Sequence, residues 1–321
     1  MDKLNIGDIH GHADALKRLL AKAGFVCTRG VWRSSDCHAN FVGDLIDRGG
    51  EQLEVIDIVR RMVDDGSGSI VMGNHEFNAI GWGTENPERP GRHYRIRGSK
   101  NRHQHQAFLD AVGEDSDLHR EVVAWFKTLP LWIDDGDCRL VHACWHPRHM
   151  AALAPWVDSG NVLTPEGIHA VHQRGSAAYE AVEVILKGPE VALPAGVTFF
   201  DKDGHERRNT RIRWWDGQAD TYRKAALVDE TTASQMPDEP LPETALVPYD
   251  DEKPVFFGHY WMNGLPELTS PTKACLDFSV ARSGYLTAYR MSPGERELDP
   301  SRLIWVSAEH DCEPEIAVMA R

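Results

Sequence analysis

Apolar runs of strand length alternate with helical periodicities in the first third of the chain. The runs lie at residues 4–6, 39–42 and 69–72, and a glycine-containing loop follows each of them. Apolar side chains recur at helical spacing within residues 13–23 and again after Gly50. This alternation predicts an α/β fold with a largely parallel sheet, in which ligands bind where the strands end.

Further apolar patterns predict helices at residues 104–112 and 118–129 and a hairpin after them. The two hairpin strands, residues 131–133 and 139–141, flank an Asp-Gly-Asp sequence that is typical of a tight turn. A run at residues 255–257 predicts another buried strand. Four strand-like runs near the end of the chain predict an antiparallel second sheet: residues 273–280, 285–290, 303–306 and 316–319.

The pattern loosens between residues 145 and 253, which we interpret as a lobe inserted into a single domain of residues 1–321. Within the lobe, residues 197–200 and 211–215 are predicted strands around a Lys-Asp-Gly turn. Acidic residues and prolines dominate residues 228–253, which favours an extended connection back to the domain.

The composition of the chain excludes several classes of protein. Its 321 residues, 41% of them hydrophobic, can form a sizeable core without disulfide bonds. A formal net charge of -14 opposes indiscriminate binding to nucleic acid or to anionic membranes, because like charges repel. We therefore expect no membrane association and no stable nucleic-acid complex, and the sequence leaves the oligomeric state open.

The N-terminal sequence and the cysteines predict a cytoplasmic protein. The first motif begins at Gly7, which leaves no room for a signal peptide, and no apolar stretch approaches the roughly 20 residues of a membrane helix. The cysteines form no C-x-x-C pair and mostly adjoin apolar runs, so we interpret them as reduced core thiols. They are Cys27, Cys37, Cys138, Cys144, Cys275 and Cys312.

Four short motifs combine glycine with potential metal ligands. Their sequences are Gly-Asp-Ile-His-Gly at residues 7–11, Gly-Asp-Leu-Ile-Asp-Arg-Gly at residues 43–49, Gly-Asn-His-Glu at residues 73–76 and Gly-His at residues 258–259. Carboxylates, imidazoles and an amide are oxygen and nitrogen ligands that suit borderline divalent cations. Because each motif follows an apolar run, we expect the four to meet at one edge of a sheet.

The ligand set is large enough for two metal ions. Asp8 and His10 can turn toward one ion, and Asp44 supplies a further carboxylate that could bridge to a second ion. The side chains left for the second ion are Asn74, His142 and His259. Two adjacent ions could hold a shared hydroxide and clamp phosphoryl oxygens, so the motifs predict a metal-dependent phosphoesterase in which that hydroxide attacks directly.

Three further side chains suit the remaining steps of such a reaction. His75 is spare in the ligand count and could protonate the leaving oxygen, with Asp47 orienting its ring. Arg48 could grip the phosphoryl oxygens with its planar guanidinium group. The alternative is that these residues merely cap helices or form turns, and the joint occurrence of the four motifs argues against it.

Together with Val141-His142, the four motifs resemble the calcineurin-like metallophosphoesterase superfamily, and residues 47–49 and 73–76 resemble its phosphoprotein phosphatase branch. Similar bacterial branches include broad-specificity phosphatases and symmetrical dinucleoside tetraphosphate hydrolases. The resemblance implies a sandwich of two mixed β-sheets flanked by helices, with a dinuclear metal centre at the sheet edge. We expect manganese there, with iron and zinc as alternatives.

The resemblance also implies the residue roles that the chemistry suggested. These are metal ligation by Asp8, His10, Asp44, Asn74, His142 and His259, acid catalysis by His75 with Asp47, and phosphate binding by Arg48. The second phosphate-binding arginine of the eukaryotic protein phosphatases has no clear counterpart in this sequence.

The motifs leave the substrate open. The first hypothesis is a phosphate monoester, such as phosphoserine or phosphothreonine in a protein, and the second is a phosphoanhydride in a dinucleoside polyphosphate. A third hypothesis, an inactive binding module, conflicts with the complete ligand set. The basic residues 89–102 could hold a polyphosphate and Trp214 and Trp215 could stack a base, although we favour a solvated loop and core packing respectively.

Overall fold

The computed structural model describes residues 1–200 and 204–309. The predicted strand at residues 316–319, Cys312 and the first two residues of the Lys-Asp-Gly turn lie outside these ranges. The described β-strands are β1 (Asp2–Ile6), β2 (Val26–Thr28), β3 (Val31–Arg33), β4 (Cys37–Phe41), β5 (Gly68–Ile70), β6 (Trp132–Asp134), β7 (Arg139–Val141), β8 (Glu190–Ala192), β9 (Phe199–Phe200), β10 (Glu206–Arg207), β11 (Asn209–Arg211), β12 (Val255–Phe257), β13 (Lys273–Cys275), β14 (Asp277–Phe278), β15 (Tyr285–Met291) and β16 (Leu303–Ser307). The described α-helices are α1 (Ala13–Lys22), α2 (Gln52–Asp65), α3 (Asn74–Gly83), α4 (Ser99–Val112), α5 (Asp117–Phe126), α6 (Pro147–Leu153), α7 (Pro165–Ala170), α8 (Ala177–Lys187), α9 (Tyr222–Ala225) and α10 (Glu230–Gln235). Short 3₁₀ turns occur at Ala154–Trp156, Glu243–Ala245, Val280–Arg282 and Pro300–Arg302.

The first sheet has six strands, in the order β5-β4-β1-β15-β16, with β14 also paired to β15. Strands β1, β4 and β5 are parallel, as the alternating pattern predicted, whereas β15 is antiparallel to β1 and β16. The predicted antiparallel second sheet is therefore wrong, because β14, β15 and β16 extend the first sheet. Leu4 and Ile6 of β1 are fully buried, so the backbone N–H and C=O groups of β1 that do not pair with β4 need another hydrogen-bond partner. Strand β15 pairs with β1 and supplies that partner.

The second sheet has four strands, in the order β13-β12-β7-β6. The predicted hairpin is confirmed as the antiparallel pair of β6 and β7, and β12 runs parallel to both β7 and β13. Across the apolar layer between the sheets, the ring centroids of Phe256 and Tyr289 lie 5.4 Å apart. Helices α1 and α2 pack against strands of the first sheet. The fold is thus a sandwich of two mixed sheets with flanking helices, as the family resemblance implied.

The helices of the basic segment begin earlier than predicted. Helix α4 starts at Ser99, so Lys100 and Arg102 belong to a helix rather than to a surface loop. Arginine and lysine are good helix formers, but the first residues of α4 include no apolar side chains at helical spacing. The hydrophobic pattern therefore could not indicate where the helix begins. The next predicted helix is confirmed as α5, which ends at Phe126. No described helix is both long enough and apolar enough to cross a bilayer.

Residues 190–245 carry a small apolar cluster of their own, which includes Val191, Ile212, Tyr222 and Met236. Strand β9 pairs with β10, and β11 pairs with β8. The predicted strand at residues 211–215 is wrong beyond Arg211, where β11 ends. Helix α10 lies in the segment that was predicted to be extended. The extent of the inserted lobe, residues 145–253, stays a prediction.

Trp214 and Trp215 are buried and pack against the second sheet. Their ring centroids lie 4.9 and 5.4 Å from that of Phe257 in β12, which confirms core packing as their role. The predicted strand at residues 211–215 rested partly on these aromatic residues, which are common in strands. Both rings are buried, but neither residue belongs to a strand. Four of the described cysteines are buried free thiols, whereas Cys27 is exposed.

Candidate active site

Loops from both sheets bring together the nine residues that the motifs singled out. Asp8 and His10 follow β1; Asp44, Asp47 and Arg48 follow β4; Asn74 and His75 follow β5; His142 follows β7; and His259 follows β12. Within each sheet these strands are parallel, so their carboxyl ends lie at the same edge. Side chains that are far apart in sequence therefore reach one region.

Five of the nine predicted site residues adopt the left-handed backbone conformation. Their φ angles are 47° at His10, 50° at Asp44, 69° at Asp47, 73° at Arg48 and 76° at His259. Such conformations cost on the order of 1 kcal/mol each and cluster at functional sites. The bends let one short loop present Asp44, Asp47 and Arg48 to the same region.

The carboxylate of Asp44 lies at the centre of the cluster. Its Oδ2 atom is 3.4 Å from His142 Nε2, 3.7 Å from His10 Nε2 and 3.8 Å from His75 Nε2. Burial opposes ionisation of this carboxyl, but the imidazoles of His142 and His75 outweigh burial and hold its pKa well below the usual range. Asp44 is therefore a carboxylate with three imidazoles around one oxygen.

Asn74, His142 and His259 gather hydrogen-bond acceptors beside Asp44. His142 donates its Nδ1 proton to the carbonyl of Val42 at 2.8 Å, which directs its Nε2 atom toward Asn74 Oδ1 at 3.1 Å. The same Asn74 oxygen is 2.6 Å from His259 Nδ1. Separations of about 3 Å are expected between atoms that ligate one metal ion through bonds of about 2.1 Å.

Asp8 and His10 provide further acceptors. His10 donates its Nδ1 proton to the carbonyl of Ile46 at 2.9 Å, and its Nε2 atom has no hydrogen-bond partner among the described residues. Asp8 Oδ2 accepts the backbone N–H of His259 at 3.0 Å and lies 4.0 Å from His10 Nε2, whereas Asp8 Oδ1 has no partner in the described chain. Buried acceptors without partners are costly, and a cation between them would satisfy both.

This donor set fits divalent metal ions. In the part of the chain that the structure describes, two triplets have ligand atoms within 4.8 Å of one another: His10, Asp44 and His75, and Asp44, His142 and His259. Imidazole nitrogen with carboxylate oxygen suits manganese, iron and zinc. The first triplet contains His75 where the sequence predicted Asp8, whose nearer oxygen lies 4.0 Å from His10 Nε2.

His75 and Asp47 form a hydrogen-bonded pair beside the ligands. His75 donates its Nδ1 proton to Asp47 Oδ2 at 2.5 Å, which leaves Nε2 facing Asp44. Burial opposes protonation of the ring, but the carboxylates of Asp44 and Asp47 outweigh burial and raise the pKa of His75 to about 9. The ring is thus protonated near neutral pH, as a general acid must be.

His105, which no sequence motif indicated, donates a hydrogen bond to Asp47. Its Nδ1 atom lies 2.9 Å from Oδ1 and 3.1 Å from Oδ2 of that carboxylate. Burial opposes ionisation of Asp47, but the hydrogen bonds from His105 and His75 outweigh it and hold the pKa well below the usual range. His105 lies in the polar N-terminal half of α4, where the sequence carries no motif that could have indicated this contact.

Glu76 has a role that the sequence did not indicate, although it stands in the Gly-Asn-His-Glu motif. Its carboxylate is fully buried and accepts the backbone N–H groups of Asp44, Leu45 and Gly73 at 2.8 to 2.9 Å. These bonds tie the loop after β4 to the start of α3. Glu76 therefore fixes the position of Asp44 relative to Asn74.

A cleft of about 460 Å³ contains the acid pair and carries several cations. Its lining includes Arg48, Arg95, Lys187, Arg211 and Arg282 as well as His75 and Trp261. Arg48 is exposed, with its guanidinium carbon 5.5 Å from the ring centroid of Trp261. The interpretation of residues 89–102 as a solvated loop is wrong for Arg95, because its side chain lines the cleft. Arg211 and Arg282 are cleft cations that the sequence pattern did not indicate.

A sandwich of two mixed sheets with carboxylates, imidazoles and an amide at its strand ends fits a metallophosphoesterase, a hydrolase that uses bound metal ions. The model of the calcineurin-like phosphoesterase family matches residues 3–179, more than half of the chain. The chain therefore belongs to the calcineurin-like phosphoesterase family.

Named relatives and solved structures agree with this assignment. A symmetrical bis(5'-nucleosyl)-tetraphosphatase of Vibrio cholerae is 28% identical over 291 residues, which cover 89% of this chain and 93% of the relative. An asymmetrical bis(5'-nucleosyl)-tetraphosphatase of Halalkalibacterium halodurans is 45% identical over 71 residues, which cover 22% of this chain and 29% of the relative. A serine/threonine phosphatase structure from Saccharomyces cerevisiae is 14% identical, with a TM-score of 0.50 and coverage of 98% and 82%, and shows the fold alone.

Proposed function

We propose that the protein hydrolyses phosphate esters with two divalent metal ions and a histidine general acid. The observation that carries the proposal is the convergence of ligand atoms around the Oδ2 atom of Asp44, with the hydrogen-bonded pair of His75 and Asp47 beside them. The proposed metal ligands are Asp8, His10, Asp44, Asn74, His142 and His259. The proposed acid is His75 with Asp47 as its partner, and Arg48 is the proposed phosphate clamp.

The metal ions and the side chains would divide the chemistry between them. Bound ions would lower the pKa of water to supply a nucleophile and would offset charge on the phosphoryl oxygens. His75 would give its Nε2 proton to the leaving oxygen, because Nδ1 is already bonded to Asp47. Arg48, exposed at the cleft, would donate two parallel hydrogen bonds to the phosphoryl group. Manganese is the ion we propose, with iron or zinc as alternatives.

The His75→Asn variant tests whether His75 acts as the general acid or as a metal ligand. We expect this variant to bind as many Mn²⁺ ions as the wild type, while kcat for an alkyl phosphate falls by about 10² to 10⁴. Metal content and phosphate release are measured on the same manganese-loaded samples. Loss of an ion in His75→Asn would instead make His75 a metal ligand, since a carboxylate partner on Nδ1 is also common for ligating histidines.

A second candidate substrate is a nucleotide phosphoanhydride, and a cluster of cations in the cleft favours it. Arg95 donates hydrogen bonds to the amide oxygens of Asn78, Asn101 and Gln104, none of which neutralises its charge. Burial lowers the pKa of Lys187; its ion pair with Glu183 opposes this shift, and the charges of Arg95 and Arg211 add to it. A substrate with phosphate on both sides of the broken bond would relieve this repulsion. The name of the Vibrio cholerae relative points to the same class.

A substrate panel separates the two candidates. Phosphopeptides, nucleoside monophosphates and a dinucleoside tetraphosphate are compared by kcat/KM on one manganese-loaded sample. If the anhydride is the substrate, it should exceed the monoesters by a hundredfold or more, and Arg95→Gln should lower kcat/KM for the anhydride alone. A phosphopeptide preference that Arg95→Gln leaves unchanged would reject the second candidate.

A further inference from the structure

Two buried histidines donate hydrogen bonds to the same carboxylate in the acid pair. Asp47 accepts from His75 at 2.5 Å through Oδ2, and from His105 at 2.9 Å through Oδ1. Asp47 and His105 are each 2% exposed, so little of either side chain reaches the solvent of the cleft that both residues line. The two imidazoles therefore hold the carboxylate from two directions.

The surroundings of His105 are poorly suited to a histidine with a purely structural role. Its ring centroid lies 4.9 Å from that of Phe108 and 5.8 Å from that of Trp82, in an aromatic part of the core. Its Nε2 atom is buried and has no hydrogen-bond partner among the described residues. An apolar side chain would fill this position without leaving a polar atom unsatisfied. The one contact that uses the chemistry of histidine is the bond from Nδ1 to Asp47.

We propose that His105 is a positioning residue for the general acid: it holds the Asp47 carboxylate so that Oδ2 faces His75 and fixes the direction of the His75 ring. The proposal rests on the proposed role of His75. Without His105, the buried carboxylate would keep a single side-chain donor and could rotate about its Cβ–Cγ bond. The Nε2 proton of His75 would then be aligned with the leaving oxygen for a smaller fraction of the time.

The proton transfer that His105 would support matters only for some substrates. As the bond from phosphorus to the leaving oxygen breaks, that oxygen takes the Nε2 proton, while phosphorus gains the oxygen of water and the water proton passes to solvent. A nitrophenolate leaves readily without this proton, whereas an alkoxide does not. A defect in positioning the acid should therefore be large for alkyl phosphates and small for nitrophenyl phosphate.

The test compares variants of His105 on two substrates, using the full chain loaded with manganese. His105→Phe keeps an aromatic ring but removes the donor, and His105→Asn keeps an N–H near the position of Nδ1. We expect His105→Phe to lower kcat for phosphoserine by about 10- to 100-fold with KM changed little. For para-nitrophenyl phosphate we expect a loss below about threefold, and His105→Asn should restore most of the phosphoserine activity.

A matched control and a second variant complete the design. His119→Phe alters another buried histidine, whose ring centroid lies 5.7 Å from that of Phe108 and whose Nδ1 accepts from the backbone of Asp115. It should affect both substrates equally, if at all. If His105→Phe does not fold, as judged by circular dichroism, His105→Leu repeats the comparison.

Two results would overturn the inference. One is an equal loss on both substrates in a folded His105 variant, and the other is no loss on either. The His75→Asn variant is measured in parallel to separate this outcome from failure of the proposed function. If His75→Asn shows the leaving-group dependence and His105→Phe does not, only the role of His105 is rejected. If His75→Asn lacks that dependence, the acid itself is rejected.

Discussion

Asp44 contacts several of the proposed site residues through different atoms. Its Oδ1 atom accepts the backbone N–H of His75, while Oδ2 faces imidazole nitrogens. Its carbonyl oxygen accepts the backbone N–H groups of Ile9 and His10, which ties the first two motifs together. A single left-handed residue thus sets the relative positions of three loops.

Glu76 offers a direct test of how these loops are held. Glu76→Gln leaves one acceptor oxygen for three backbone N–H groups and turns an N–H₂ group toward them. We expect the free energy of unfolding to fall by about 2 to 4 kcal/mol, because buried donors lose their partners. Urea denaturation measures the change, and a Mn²⁺ titration should show weaker binding.

A surface glutamate provides the control for that substitution. Glu121 is exposed and forms an ion pair with Arg60, so Glu121→Gln should cost less than about 1 kcal/mol. Equal stability losses in the two variants would contradict the role assigned to Glu76.

Gly258 lies where a side chain would displace a proposed ligand. A Cβ atom at this position would be 1.8 Å from Asp8 Oδ1, so Gly258→Ala must push the carboxylate away. We expect Mn²⁺ affinity to fall by about 10- to 100-fold or more, as measured by equilibrium titration. At Gly217 a Cβ atom would meet nothing within 4 Å, and Gly217→Ala should leave the affinity unchanged. Unchanged affinity in Gly258→Ala would mean that Asp8 does not bind metal.

At the scale of elements, the sequence predicted strands and their loops far better than the pairing between strands. Strands β1, β4 and β5 and the hairpin were predictable because apolar runs and turn residues are local signals. The pairing of β1 with β15 was not predictable, because it depends on which edge of a strand distant in sequence remains unpaired. The same distinction holds in the site. The motifs indicated nine residues, whereas His105 and Arg95 reach it only because α4 and its preceding loop pack there.

A half-buried histidine after helix α7 should make the stability of the fold depend on pH. His172 donates its Nδ1 proton to the Ile168 carbonyl at 2.7 Å, and its ring stacks between Phe77 and Tyr94, with centroids 4.6 Å from each. Burial lowers the pKa of His172 to about 4. The unfolded chain, with a histidine pKa of about 6.5, binds this proton more readily than the folded protein.

The sign of the effect follows from that difference. Stability is complete above the unfolded pKa and is lost as pH falls toward the folded pKa, by on the order of 1 to 2 kcal/mol between pH 7 and 5. His172→Phe keeps the stacked ring and removes the titrating group, so its urea unfolding should lose correspondingly less stability over this interval. If both proteins lose the same amount, His172 is not the responsible group.

At the scale of the whole molecule, the proposed metal ligands connect the two sheets. Asp8, His10, Asp44 and Asn74 follow strands of the first sheet, whereas His142 and His259 follow strands of the second. Metal binding would therefore link the halves of the sandwich.

The molecule carries a net charge of -14, yet its candidate cleft is lined by five lysine and arginine side chains. This local positive charge suits a phosphate-bearing substrate that the molecule as a whole would repel.

The central claim is that Asp44 would be a ligand in a two-metal site on which phosphate release depends. The measurement that tests it most directly is the number of Mn²⁺ ions bound per chain together with kcat/KM for a phosphate ester, in wild type and in Asp44→Asn. We predict two ions and activity in wild type, and weaker binding with at least a ~10³-fold loss in Asp44→Asn. The exposed Asp64→Asn serves as a control and should match wild type. Full activity and two tightly bound ions in Asp44→Asn would contradict the claim.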